Sequence, residues 1–170
     1  GTLGEEGLSL EFRHIASYLI WYCGHMNSEE LLHEVVLCVG YFSVLHPDNQ
    51  AIVQAGQPPT VLQQLCALPF QYFSDPRLVA VLFPTLIACC YSNQDNTDIL
   101  EQELSCALLA NFIEERQLEQ QQNKSSPVSV KKSKNQDNKE IREAENRMAF
   151  PLRFPVEQWA EAQTYFSSSS

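Results

Sequence analysis

Along most of this chain the apolar side chains recur at spacings of three and four, the period of helices buried on one side rather than of strands. Leu8, Phe12, Ile15, Leu19 and Tyr22 mark a first helix from Leu8 to Cys23, with Gly24 where a C-terminal cap is expected. Asn27 followed by Glu30 has the form of a capping box that opens a second helix, about Ser28 to Leu45. Its middle, Val35-Val36-Leu37-Cys38-Val39, is apolar on every side and has to be enclosed by neighbours. Gly40 costs that helix about 1 kcal/mol relative to alanine, so its expected use is to let another helix come close.

His46-Pro47-Asp48 ends the second helix and begins a short one, Asn49 to Ala55, closed by Gly56. Pro58-Pro59-Thr60 opens the next, Thr60 to Leu68, with Thr60 as cap and Pro69 as stop. Phe70 to Ser74 reads as an aromatic loop. Ser74-Asp75-Pro76-Arg77 starts a long apolar helix through Tyr91, and Pro84 inside it removes one hydrogen bond and kinks it. After the polar loop Ser92 to Thr97, a last strong helix runs from Asp98 to about Arg116, with a ridge of Leu100, Leu104, Leu108 and Phe112.

The pattern repeats. Asp48-Asn49-Gln50-Ala51-Ile52-Val53 aligns with Asp95-Asn96-Thr97-Asp98-Ile99-Leu100 at an offset of 47, and Val39 with Leu86, Val61 with Leu108 and Leu65 with Phe112 at the same offset. A period of about 40–47 is that of armadillo and HEAT units. Asn49-x-x-Ile52-Val53-x-x-Gly56-x-x-Pro59-x-Val61-Leu62 matches the armadillo order of short helix, glycine and following helix. The expected fold is therefore all-α, an armadillo/HEAT-like fragment of an α-solenoid over residues 1–116.

From Gln117 the apolar period ends. A glutamine run, Ser125-Ser126-Pro127 and Lys131-Lys132-Ser133-Lys134 read as a disordered polar insertion over 117–149. Order is expected again in 150–170. There Trp159, Ala162, Tyr165 and Phe166 share one face of a short amphipathic helix that docks on the core, before four terminal serines that fray.

Charge narrows the choice of partners. Residues 1–123 carry three basic side chains against fifteen acidic ones, a net of −12, whereas 124–147 carry seven against four, a net of +3. An acidic body repels phosphates, so any nucleic-acid contact falls to the insertion, with Lys131, Lys132, Lys134 and Lys139 as candidate tethers. Cys23, Cys38, Cys66, Cys89, Cys90 and Cys106 lie in apolar helical runs with no C-x-x-C pair, which reads as small buried hydrophobes in a reducing compartment. The apolar run Leu78 to Tyr91 is too short to span a bilayer. The chain opens Gly1-Thr2 rather than with methionine and reads as a fragment of something longer.

Little in the chain suggests chemistry. His14, His25, His33 and His46 are scattered among the cysteines without metal-site spacing. No nucleophile elbow, glycine-rich phosphate loop or pair of catalytic carboxylates occurs. We expect no enzyme activity, no metal and no cofactor. The candidate partner site is Tyr72, Phe73, Asp75 and Arg77, because aromatic and arginine side chains often dominate interfaces; the alternative is that these aromatics cover the end of the core. His46 and Asn49 at the repeat turn are further candidates, with capping as their ordinary role.

Several long runs resemble the C-terminal region of the S-phase cyclin A-associated protein family: Phe12-Arg13-His14-Ile15-Ala16-Ser17-Tyr18-Leu19-Ile20, Leu32-His33-Glu34-Val35-Val36, Val39-Gly40-Tyr41-Phe42 and His46-Pro47-Asp48-Asn49-Gln50. Leu68-Pro69-Phe70-Gln71-Tyr72-Phe73-Ser74-Asp75-Pro76-Arg77-Leu78 and Arg153-Phe154-Pro155 with Trp159 complete the likeness, from which the segment 117–147 departs. The resemblance implies a docking module of a large non-catalytic adaptor in the cytosol and at the endoplasmic reticulum, with any membrane attachment made elsewhere in that protein. The partners it implies are cyclin A in the cell cycle and, in ribosome-associated tubulin mRNA decay, a nascent-chain recognition factor and the deadenylase complex. Direct ribosomal RNA binding through the lysines is the alternative. A third reading is a structural end piece of a longer solenoid, which a broad apolar face on the first helix would favour.

Overall fold

A computed structural model of the chain describes residues 3–125 and 136–169. Among them every regular element is helical: α1 (Leu3–Met26), α2 (Glu29–Ser43), α3 (Pro47–Gln54), α4 (Val61–Cys66), α5 (Gln71–Ser74), α6 (Pro76–Cys90), α7 (Gln94–Glu101), α8 (Cys106–Ser125), α9 (Gln136–Arg147), α10 (Phe150–Arg153) and α11 (Trp159–Ser168), with a 3-10 turn at Val156–Gln158.

Several boundaries depart from the sequence expectation. Helix α1 runs through Gly24, and Asn27 takes the left-handed turn at φ 51°, a conformation asparagine tolerates. Asn27 thus closes α1 instead of boxing α2, and the Ser28 N–H reaches back to the Cys23 carbonyl at 3.3 Å. Phe70 to Ser74 is not a loop, because Gln71–Ser74 forms a helical turn. The expected helix from Asp98 to Arg116 is two helices, α7 and α8, joined by a turn in which Glu101 Oε1 accepts from the Cys106 N–H at 2.9 Å. The ridge of Leu100, Leu104, Leu108 and Phe112 crosses that break, so periodicity alone does not reveal it. Residues 117–125 and 136–147, expected to be disordered, are helical. Glutamine, glutamate and lysine are good helix formers, and a helix with no apolar stripe is a solvated one rather than coil. Cys38 is exposed, unlike the other five cysteines.

The 47-residue offset is a structural repeat. Helices α2 and α6 begin and end 47 positions apart, and so do α3 and α7. Leu45 and Ser92 both take positive φ. His46 and Asn93 both cap the following helix, accepting from the Asn49 and Asn96 N–H groups at 3.2 and 3.0 Å. Asn49 donates to the Phe42 carbonyl at 2.7 Å, and Asn96 to the Cys89 carbonyl at 2.8 Å. Asn96 also donates to the Gln50 carbonyl at 2.9 Å, which ties the second turn to the first.

Helices α2 and α6 pack against each other at the centre. Helix α1 lies on α2, α3 and α4, while α8 lies on α6 and receives α11. The α2–α6 contact is close: a Cβ on Gly40 would stand 2.7 Å from Thr85 Oγ1. That hydroxyl donates to the Val36 carbonyl at 2.7 Å. One residue earlier, Pro84 has no N–H for the Ala80 carbonyl. The vacancy is filled from the far end of the chain. Arg153, 4% exposed, donates from Nη1 to Ala80 O at 3.0 Å and from Nη2 to Val81 O and Thr85 Oγ1, both at 2.7 Å. Burial pulls the guanidinium down to about 10, which still leaves it charged at neutral pH. Among the described residues every fully buried side-chain nitrogen or oxygen has a partner.

Replacing Arg153 by methionine keeps an unbranched apolar stem but strips these acceptors of their donor. We expect a loss of about 2–5 kcal/mol in urea denaturation, the scale of several buried acceptors left unpaired. A loss near zero would mean that water replaces the guanidinium.

Candidate functional site

Helices α2, α6 and α8, together with the segment around residues 145–151, surround a groove of about 1200 Å³. Its floor is apolar. Phe150 stacks on Trp159 at 4.7 Å between ring centroids and meets Phe112 edge-on at 5.3 Å, with Val81 and Leu31 beside them. Phe150 reaches this place because Arg153 anchors α10 on α6.

The rim is charged and internally paired. Arg147 meets Glu34 at 2.5 Å across α9 and α2. Arg116 binds Glu119 at 2.6 Å and lies over the Phe112 ring at 4.7 Å. Arg77 meets Glu29 at 3.3 Å. Exposed pairs of this kind contribute little stability each, but they fix which side chains face the opening. His33 also lines the groove and shares a 2.9 Å hydrogen bond with the Tyr72 hydroxyl. Burial foremost, with Arg77 nearby, pushes His33 below its usual 6.5 despite the opposing pull of Glu29.

The structure divides the patch that the sequence singled out. Tyr72 is 6% exposed and belongs to the core. Phe73 is half-buried, with its ring 6.4 Å from that of Phe83. Asp75 caps α6 by accepting from the Arg77 N–H at 3.0 Å. Only Arg77 stands free of the core and on the groove rim. The aromatic that is exposed is Phe70, at 79%. His46 and Asn49 use their side chains within the repeat turn, as do Asn93 and Asn96 in the second copy. Lys131, Lys132 and Lys134 lie outside the described residues; Lys139 is exposed on α9, whose sequence holds three basic and four acidic residues.

The groove's own residues escape a linear reading. Glu30, Glu34, Phe112, Arg116 and Arg147 come from three helices far apart in sequence, and no local motif links them. The first helix departs too. Its buried face is Ala16, Ile20 and Cys23, which leaves Leu8, Ile15, Tyr18 and Trp21 exposed. A helix apolar on most sides cannot show by spacing which side is covered.

Burial pushes the Cys66, Cys89 and Cys106 thiols up to about 12, which holds them protonated and unreactive. Among the described residues no three of His, Cys, Asp and Glu converge as metal ligands, and no helix is long and apolar enough to cross a membrane.

No family model matches the chain. It is 54% identical over 164 residues to the S phase cyclin A-associated protein in the endoplasmic reticulum of Homo sapiens. The match covers 96% of this chain and 11% of that protein, so the chain spans about a tenth of its relative's length. At that coverage the match reaches across the segment 117–147, which the resemblance had set apart.

Two outcomes separate core from rim. Tyr72→Ala should cost about 3–5 kcal/mol in chemical denaturation, as for other packed aromatics, whereas Arg77→Ala should stay within about 0.5 kcal/mol. Equal losses would place Arg77 in the core. His33 gives a pH dependence of defined sign. Folded His33 binds its proton less readily than unfolded His33, so this contribution is present above 6.5 and is lost as pH falls below it. His33→Gln should therefore lose less stability than the wild type between about pH 7 and about pH 5.5. A steeper fall in the variant would reverse the assignment.

Proposed function

We propose, from the premise that this chain belongs to the family of the S phase cyclin A-associated protein in the endoplasmic reticulum and corresponds to its C-terminal region, that it is a non-catalytic protein-docking module. The groove carries the reading. It is preformed, large, floored by aromatics and rimmed by arginines, the residue types that dominate protein interfaces. The burial of Cys66, Cys89 and Cys106 fits a role without covalent chemistry at those thiols. The 47-residue repeat of helices, caps and asparagine contacts supports two armadillo-like units over residues 1–116, completed by the segment 150–170.

The relative's name ties it to cyclin A and to the endoplasmic reticulum, and we extend both to this chain as the setting of an adaptor. The family resemblance adds the ribosome-bound nascent-chain factor and the deadenylase complex of tubulin mRNA decay as partners. Ribosomal RNA binding has less support, because Lys139 sits on a helix whose charges sum to −1. A second reading, as an end piece of a longer solenoid, is favoured by one observation. Helix α1 exposes Ile15, Tyr18 and Trp21, a face that a further helical layer would cover.

Recovery of partners on the immobilised chain, with and without nuclease, tests the docking reading. Leu31 lies at the groove edge and is 38% exposed. Leu31→Ser should leave the melting temperature unchanged and remove those partners that survive nuclease. Partners lost to nuclease or to raised salt alone would favour RNA instead. Nuclease-resistant partners indifferent to Leu31→Ser would move the site off the groove.

A further inference from the structure

We propose that the occupant of the groove is a cationic amphipathic segment of a partner protein, with apolar anchors along one face and lysine or arginine at its flanks; this rests on the docking reading above. The argument begins with what the rim leaves unmatched. Three guanidinium groups line the groove, and each already faces a carboxylate: Arg77 with Glu29, Arg116 with Glu119, Arg147 with Glu34. Glu30 and Glu145 line the same groove with no cation within ion-pair distance among the described residues. The free charges of the rim are therefore both negative.

An anionic ligand would meet, at each arginine, a guanidinium whose charge a neighbouring carboxylate already offsets. A cationic one finds acceptors waiting, and it approaches down the field of a body whose first 123 residues carry a net charge of −12. Charge alone does not complete the site. Leu31, Val81, Phe112 and Phe150 line the groove without a polar atom to offer, so the part of the ligand that enters must be apolar. A groove of about 1200 Å³, open on one side, is larger than the usual small-molecule pocket. It suits a helix that lays its apolar positions at i, i+3, i+4 and i+7 into a hydrophobic trough.

The test uses three labelled peptides and fluorescence anisotropy with the whole chain. The first carries leucines on one helical face and lysines at both flanks, the second has glutamates in place of the lysines, and the third keeps the lysines but has serines for the leucines. The first should bind roughly tenfold or more tighter than either other, a difference of about 1.4 kcal/mol. Its affinity should fall as salt rises from low to physiological. Leu31→Ser and the pair Glu30→Lys with Glu145→Lys should each weaken it; both carboxylates are on the surface, and a thermal melt checks that the pair still folds. If the pair does not fold, the salt series on the wild type decides. Equal or tighter binding of the glutamate peptide overturns the charge assignment and leaves the docking groove standing. Equal binding of the serine peptide overturns the apolar anchor. Binding of none of the three overturns the groove as a docking site, and this proposal with it.

Discussion

A proline inside a central helix sets the condition on which the rest of this molecule depends. Pro84 leaves the Ala80 carbonyl without its donor in the part of α6 that crosses α2 most closely. An unpaired carbonyl there would be expensive. The guanidinium of Arg153 answers for Ala80, Val81 and Thr85 at once. Arginine can do this because it has five donors in a rigid fork. The same contact fixes α10, and α10 places Phe150 between Phe112 and Trp159. The groove floor thus follows from a hydrogen-bond deficit on another helix.

The sequence exposed the repeating parts of the fold and hid the parts that converge. Apolar spacing located α2 and α6, and the recurrence of Asp-Asn at an offset of 47 marked the turns in which Asn49 and Asn96 make the same contact. Such features are local, or local twice over. Thr60 likewise forms the expected cap, within a capping box with Gln63. The boundary between α7 and α8 was hidden because the leucine ridge continues through it. The buried face of α1 was hidden because Ile15 and Ile20 are equally apolar and only tertiary packing chooses between them. The site was less legible still. Tyr72 stands out in the sequence as an aromatic in a connection, yet its ring is buried and its hydroxyl bonds to His33, 39 residues away, at the groove. No spacing rule could announce that partner.

The rim shows how a protein can hold several arginines and still present an acidic face. Each guanidinium is met by a carboxylate, two of them from another helix, and one of the three also lies over an aromatic ring. Counting charges along the chain gives the overall sign but not which of them remain available. That depends on pairs such as Arg147 with Glu34, separated by 113 residues.

The placing of Phe150 and Trp159 in the groove floor has one more consequence. The groove floor is not complete until residues 150–159 have folded back onto α6 and α8. Occupancy and docking of the tail are therefore two readings of a single equilibrium. A ligand that fills the groove holds the tail down by RT ln(1 + [L]/Kd), and whatever peels the tail away removes the groove floor.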